Sequence, residues 1–144
     1  MLLALDYVHW RGFVHGDIKP ANVCIDAQGV CKLVDFGLVQ AHGAPSNAGC
    51  GTPPYIAPES AGGHQHTAAV DMYAYGAVLF FAATGDHIPL LGRDATPLPG
   101  SFEADLAELM QDCLSWHADE RPSAFACMHS AWFAWVRDWG SVVP

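Results

Sequence analysis

Apolar positions along the chain gather into blocks, separated by loops rich in glycine and proline. From Val70 to Thr84 the sequence is apolar nearly all round, with Asp71 close to its start. A helix without a polar face belongs at the centre of a core. Leu2, Leu3, Leu5, Val8 and Phe13 follow a roughly helical spacing that stops near Gly12, which predicts an opening helix. Phe102 to Trp116 repeats that spacing, with Leu106, Leu109, Met110, Cys113 and Leu114 along one side. Ser123 to Val136 predicts a last helix, and Trp132, Trp135 and Trp139 fall at helical intervals. This stripe is read as packing against the domain rather than as a docking face. Between the first two helices, Val23-Cys24-Ile25 and Val30 to Val34 flank Asp26-Ala27-Gln28-Gly29. That pattern predicts a β-hairpin. Residues 38–50 read as a mobile loop, 60–68 as a solvated loop, and 85–101 as a stretch broken by Gly and Pro.

Composition narrows the classes. With 144 residues the chain is long enough for one domain with a real core, and 51% hydrophobic residues argue against disorder. A formal net charge of −9 argues against a nucleic-acid partner. The apolar run Ala74 to Thr84 is too short to span a bilayer and is flanked by Asp71 and Asp86. Asp6 and the lack of a basic leader argue against a signal peptide, so no membrane partner is expected. Cys24, Cys31, Cys50, Cys113 and Cys127 form no C-x-x-C pair. They read as free thiols in a reducing, cytoplasmic (intracellular) setting. Two histidines, His64 and His66, without a third ligand nearby, read as part of the solvated loop and not as a metal site.

The chemistry lies between His15 and Gly37. The sequence His15-Gly16-Asp17-Ile18-Lys19-Pro20-Ala21-Asn22 is followed, after the hairpin, by Asp35-Phe36-Gly37. A carboxylate with an amide oxygen is a hard-oxygen set that suits Mg²⁺. A separate Asp beside a Lys suits a hydroxyl proton and a phosphoryl group. This order, with Ala57-Pro58-Glu59 after it, resembles the catalytic core of eukaryotic-type serine/threonine protein kinases, with Gly16 where the family has Arg.

The resemblance implies an α+β fold: a mainly helical C-terminal lobe over 1–136, with a short β-hairpin bearing the catalytic and metal-binding loops, then a tail over 137–144. It implies ATP and Mg²⁺ as cofactors and a protein as substrate. By resemblance Asp17 orients the substrate hydroxyl and accepts its proton. Lys19 contacts the transferring phosphoryl, Asn22 and Asp35 hold Mg²⁺, and Thr52 bonds near Asp17 and Lys19. Cys24, on the strand beneath the nucleotide, would face adenine. His15 would pack under Phe36, Asp71 would hold the backbone from His15 to Asp17, and Arg121 would pair with Glu59.

The resemblance covers one lobe only. The family's Gly-rich loop, its phosphate-gripping strand lysine and its adenine hinge are not among these residues. Taken alone, the chain is expected to bind Mg·ATP weakly and to expose an apolar patch at His15, Cys24 and Phe36. A partner or an upstream segment supplying the N-terminal lobe would cover that patch. Gly16 cannot pair with a phosphate, and Asp35 to Glu59 contains no Lys or Arg. A phosphate on Ser46 or Thr52 is therefore expected to find little positive charge. Two alternatives stand beside the protein-kinase reading. One is a catalytically inactive kinase-like module that binds proteins. The other is a kinase-like small-molecule phosphotransferase, such as the aminoglycoside and choline kinases. Lys19, Phe36-Gly37 and the Gly51 to Glu59 segment argue against the latter.

Overall fold

The computed structural model describes residues 1–45, 51–62, 65–89, 98 and 102–136. Ser46, Cys50, His64, Trp139, the tail over 137–144 and most of 85–101 lie outside the described residues, as does the side chain of Trp135.

The buried helix organises the rest. It runs Ala68–Thr84 (α2 below), follows Thr67 as N-cap and stops at Gly85, whose N–H bonds the Phe81 carbonyl at 2.8 Å. Met72, Ala74, Tyr75, Ala77 and Phe80 are buried. The last turn is not, because Ala82 and Ala83 reach solvent. The opening helix, α1 (Leu2–Trp10), buries Leu2 and Leu5 but leaves Leu3, Tyr7 and Trp10 exposed. Its apolar spacing is thus wider than the face it buries. A third helix, α3 (Ala104–Cys113), buries Leu109, Met110 and Cys113 against α2. Gly76 permits that approach: a Cβ there would lie 2.9 Å from both Cys113 Cβ and Leu114 Cγ. Adding a methyl at such a point forces the helices apart. None of the helices is long and apolar enough to cross a membrane, among the described residues.

Among the described residues, three two-stranded antiparallel ribbons lie beside this helical core. Strands β1 (Phe13–Val14) and β4 (Gln40–Ala41) pair; β2 (Val23–Ile25) pairs with β3 (Cys31–Leu33); β5 (Ala44–Pro45) pairs with β6 (Gln65–His66). The hairpin β2–β3 is the predicted one. Asp26 closes it by accepting from the N–H groups of Gln28 and Val30, at 3.0 and 2.9 Å. The two other ribbons contradict the loop readings over 38–50 and 60–68. Backbone pairing over long sequence distances, not local propensity, makes those segments strands.

The tail differs as well. The single helix expected over Ser123–Val136 is broken into α4 (Ala124–Met128) and a 3₁₀ segment, Ala131–Val136. Side chains close α4 at both ends. Ser123 Oγ accepts from Ala126 N at 3.1 Å, and the His129 ring donates from Nδ1 to the Phe125 carbonyl at 2.8 Å. The chain then turns so that Trp132 and Phe133 rest on the core. The packing role read for Trp132 is the one observed.

Candidate active site

Asp71 sits in the first turn of α2 with 1% exposure, so its carboxylate needs donors. It has three. His15 N–H donates to Oδ2 at 2.8 Å, Gly16 N–H donates to Oδ1 at 2.9 Å, and His9 Nε2 donates to Oδ2 at 2.8 Å. The core helix thereby grips the loop that carries Asp17. The two backbone donors were expected; His9 was not, since nothing in the local pattern of α1 marks it.

Gly16 takes φ +79°, a left-handed conformation that favours glycine. A Cβ there would lie 2.8 Å from His66 Nε2 and 3.1 Å from the Leu38 carbonyl. The glycine is thus required twice over, by its backbone angle and by its neighbours.

Beyond it, three predicted residues, Lys19, Thr52 and Asn22, converge on Asp17. Lys19 Nζ donates to Asp17 Oδ2 at 2.7 Å and to Thr52 Oγ1 at 2.8 Å. The Thr52 hydroxyl donates to Asp17 Oδ1 at 2.8 Å. The Asn22 amide nitrogen donates to the Asp17 carbonyl at 2.8 Å and to Oδ2 at 3.1 Å. Burial pushes the Asp17 carboxyl upward. The hydrogen bonds from Lys19 and Thr52, the Lys19 charge and the Asn22 bond outweigh that push and hold it below the ordinary carboxylate value. Thr52 therefore does meet a cation: the ammonium comes from Lys19, outside its own segment.

Hairpin register places the other candidate oxygen donor. Val23 pairs with Leu33, and Val34 N–H bonds the Asn22 carbonyl at 3.0 Å. Asn22 and Asp35 consequently flank the same end of the hairpin. Asp35 has φ +61°, unusual for a residue with a side chain, and among the described residues its Oδ1 accepts only from Gly37 N–H, at 3.2 Å. The Asn22 amide spends its nitrogen on Asp17, which leaves its oxygen available. These two hard oxygens fit Mg²⁺, which binds through few protein groups plus phosphate and water. Cys24 is exposed on β2, opposite Lys32.

His15 bears out its packing role but not its exposure. Its ring lies under Phe36, centroids 4.9 Å apart, donates from Nε2 to the Val34 carbonyl at 3.2 Å and accepts from Asp17 N–H at Nδ1. It is fully buried, because Phe36 covers it. His15 therefore drops out of the apolar patch expected at His15, Cys24 and Phe36; Phe36 and Cys24 are exposed, as are Ile25 and Val30.

The segment around Thr52 is anchored at its far end. Arg121 NH1 and NH2 donate to Glu59 Oε1 and Oε2 at 2.6 and 2.8 Å. Its remaining N–H groups reach the carbonyls of Ala69, Ser115 and Trp116, so all five donors are used. The guanidinium also stacks over Tyr73, 5.0 Å from the ring centroid. One residue thus ties 59 to the start of α2 and to the turn after α3.

His66, read from sequence as part of a solvated loop, is buried on β6 against Gly16. A lone His between Gln and Thr carries no signal of that, because burial follows from the β5–β6 pairing.

Known proteins resemble this chain over most of its length. A family model described as the protein kinase domain matches residues 1–133. The chain is 34% identical over 155 residues to the DNA damage-responsive serine/threonine-protein kinase RqkA of Deinococcus radiodurans, covering 94% of this chain and 23% of that protein. It is 33% identical over 150 residues to the serine/threonine-protein kinase RUNKEL of Arabidopsis thaliana, covering 92% and 11%. With ribosomal protein S6 kinase alpha-1 of Rattus norvegicus it shares 37% identity over 97 residues, covering 65% and 13%. The chain spans less than a quarter of the length of these relatives.

Proposed function

The chain belongs to the protein kinase family, and we propose that it transfers the γ-phosphoryl group of ATP to serine or threonine hydroxyls of proteins once an N-terminal lobe completes it. One observation carries this reading: Lys19 and Thr52 bond each other and both oxygens of Asp17. A carboxylate so held stays ionised at neutral pH. It is a weak base, and its use is to orient a hydroxyl and take its proton late. That suits phosphoryl transfer, where positioning and charge stabilisation do most of the work. Lys19, between Asp17 and Thr52, faces the position of the moving phosphoryl charge. Asn22 and Asp35 would hold Mg²⁺, which neutralises phosphate charge when bound. The exposed Phe36, Cys24 and Ile25 form the surface the other lobe covers. We place the lobe at 1–136, with 137–144 as a tail, in a reducing intracellular compartment.

The test joins this chain to an upstream segment bearing a Gly-rich loop and a strand lysine. The fusion is mixed with Mg²⁺, γ-labelled ATP, and peptides offering Ser, Thr or Tyr. Label on Ser and Thr peptides, lost in Asp17→Asn, is the expected result. Label on an aminoglycoside or choline instead would establish the small-molecule reading. A parallel melt asks whether the 144 residues alone take Mg·ATP. Ligand at 100 times its Kd adds about 2.7 kcal/mol, and Asp35→Ala should abolish the shift. Neither label nor shift would leave a protein-binding module as the function.

A further inference from the structure

Between the loop 15–17 and the segment 51–60 lies a cavity of ≈ 20 Å³, whose lining includes Asp17, Thr52, Ser60, His66 and Asp71. His66 is 4% exposed, and neither ring nitrogen has a hydrogen-bond partner among the described residues. Such a buried group is costly unless something satisfies it. The cavity has room for about one water, and a buried water needs two to four polar partners. Two carboxylates in the lining rule against an anion. Both carboxylates are already engaged, Asp71 by three donors and Asp17 by Lys19, Thr52 and Asn22, so with one histidine they make too poor a set for a metal. Water remains, and its partners are present. Among the described residues Asp71 Oδ1 accepts only the Gly16 N–H, so it has capacity left. Ser60 is buried and also lines the cavity.

We propose that this cavity is a structural-water site held by His66, Asp71 and Ser60, and that His66 is through it a positioning residue for the Gly16-Asp17 backbone. The imidazole stands against Gly16 on the side where any other residue would place its Cβ. The bound water links the ring to the carboxylate that grips the loop. Burial lowers the His66 pKa and Asp71 opposes this more weakly, so the ring is neutral at pH 7. A neutral ring has one donor and one acceptor to offer a water. The inference needs no phosphoryl transfer and stands whether or not the chain is active.

The experiment uses the isotope-labelled 144-residue chain. In the wild type, a water with a long residence time should give a cross-relaxation peak to the His66 ring protons. In His66→Phe, which fills the space without a nitrogen, the Gly16 and Asp17 amides should exchange at least about tenfold faster while α2 amides keep their rates. His66→Gln, which restores a donor and an acceptor, should bring exchange back to within about threefold of the wild type. A wild-type spectrum without the water peak overturns the proposal, and needs no variant to fold. Unchanged loop exchange in His66→Phe overturns the positioning role and leaves His66 a space-filler.

Discussion

Replacing Arg121 with Met keeps most of the side-chain volume and removes five donors at once. Its guanidinium is fully buried and Glu59 is 16% exposed. Arg121→Met therefore strands a largely desolvated carboxylate and leaves the carbonyls of Ala69, Ser115 and Trp116 without these donors. Breaking a buried pair by removing one partner costs about 3–5 kcal/mol. A domain of this size has about 5–15 kcal/mol in total. At about 3 °C per kcal/mol, the melting temperature should fall by about 10–15 °C. The assay is urea unfolding followed by circular dichroism, on Arg121→Met, Glu59→Met and the double variant. Two methionines can pack together, so the double variant should be more stable than Arg121→Met alone, with a coupling of about 2 kcal/mol or more. A cost below about 1 kcal/mol for Arg121→Met, or a double variant equal to the sum of the singles, would refute the reasoning. Arg121 would then be a local cap for the turn after α3, not the anchor of the segment that carries Thr52.

Asp71→Asn turns an amide nitrogen toward the donors of His15, Gly16 or His9. It should cost about 2–4 kcal/mol and speed exchange at the His15 and Gly16 amides first. Gly16→Arg meets a positive φ and a 2.8 Å approach to His66. It should destabilise the chain by about 1–3 kcal/mol in urea unfolding, so restoring the family's residue should not restore a phosphate-responsive switch. Lys19→Met removes the ammonium from Asp17, and a carboxyl-carbon NMR titration should show the Asp17 midpoint rising. Because the folded carboxyl titrates below its unfolded value of about 3.8, its contribution is present above about pH 4 and lost as pH falls through the folded midpoint. Lys19→Met should therefore flatten the acid limb of the stability curve below pH 4.

The order of chemical groups was legible from residue types alone. Asp17, Lys19, Asn22 and Asp35 lie close in sequence, on either side of a hairpin whose turn residues announce it, so local geometry nearly suffices to assemble them. Val70 to Thr84 could be recognised as the core helix because a uniformly apolar stretch has nowhere else to go. The pairing of Arg121 with Glu59 and of Asp71 with the loop came from resemblance, since no local pattern joins residues so far apart in the chain. Tertiary structure decided the rest. His66 and His15 are buried, and Leu3 and Phe13 are not, because exposure depends on which face meets a neighbour. The strands at 40–41, 44–45 and 65–66 exist because each finds a partner far along the chain. The last helix breaks because Ser123 and His129 close it locally and the core draws in Trp132 and Phe133. Sequence determined which groups are available and the periodicity of the elements. Only the fold decided which of those groups lose water, and burial without a partner among the described residues is what singles out His66.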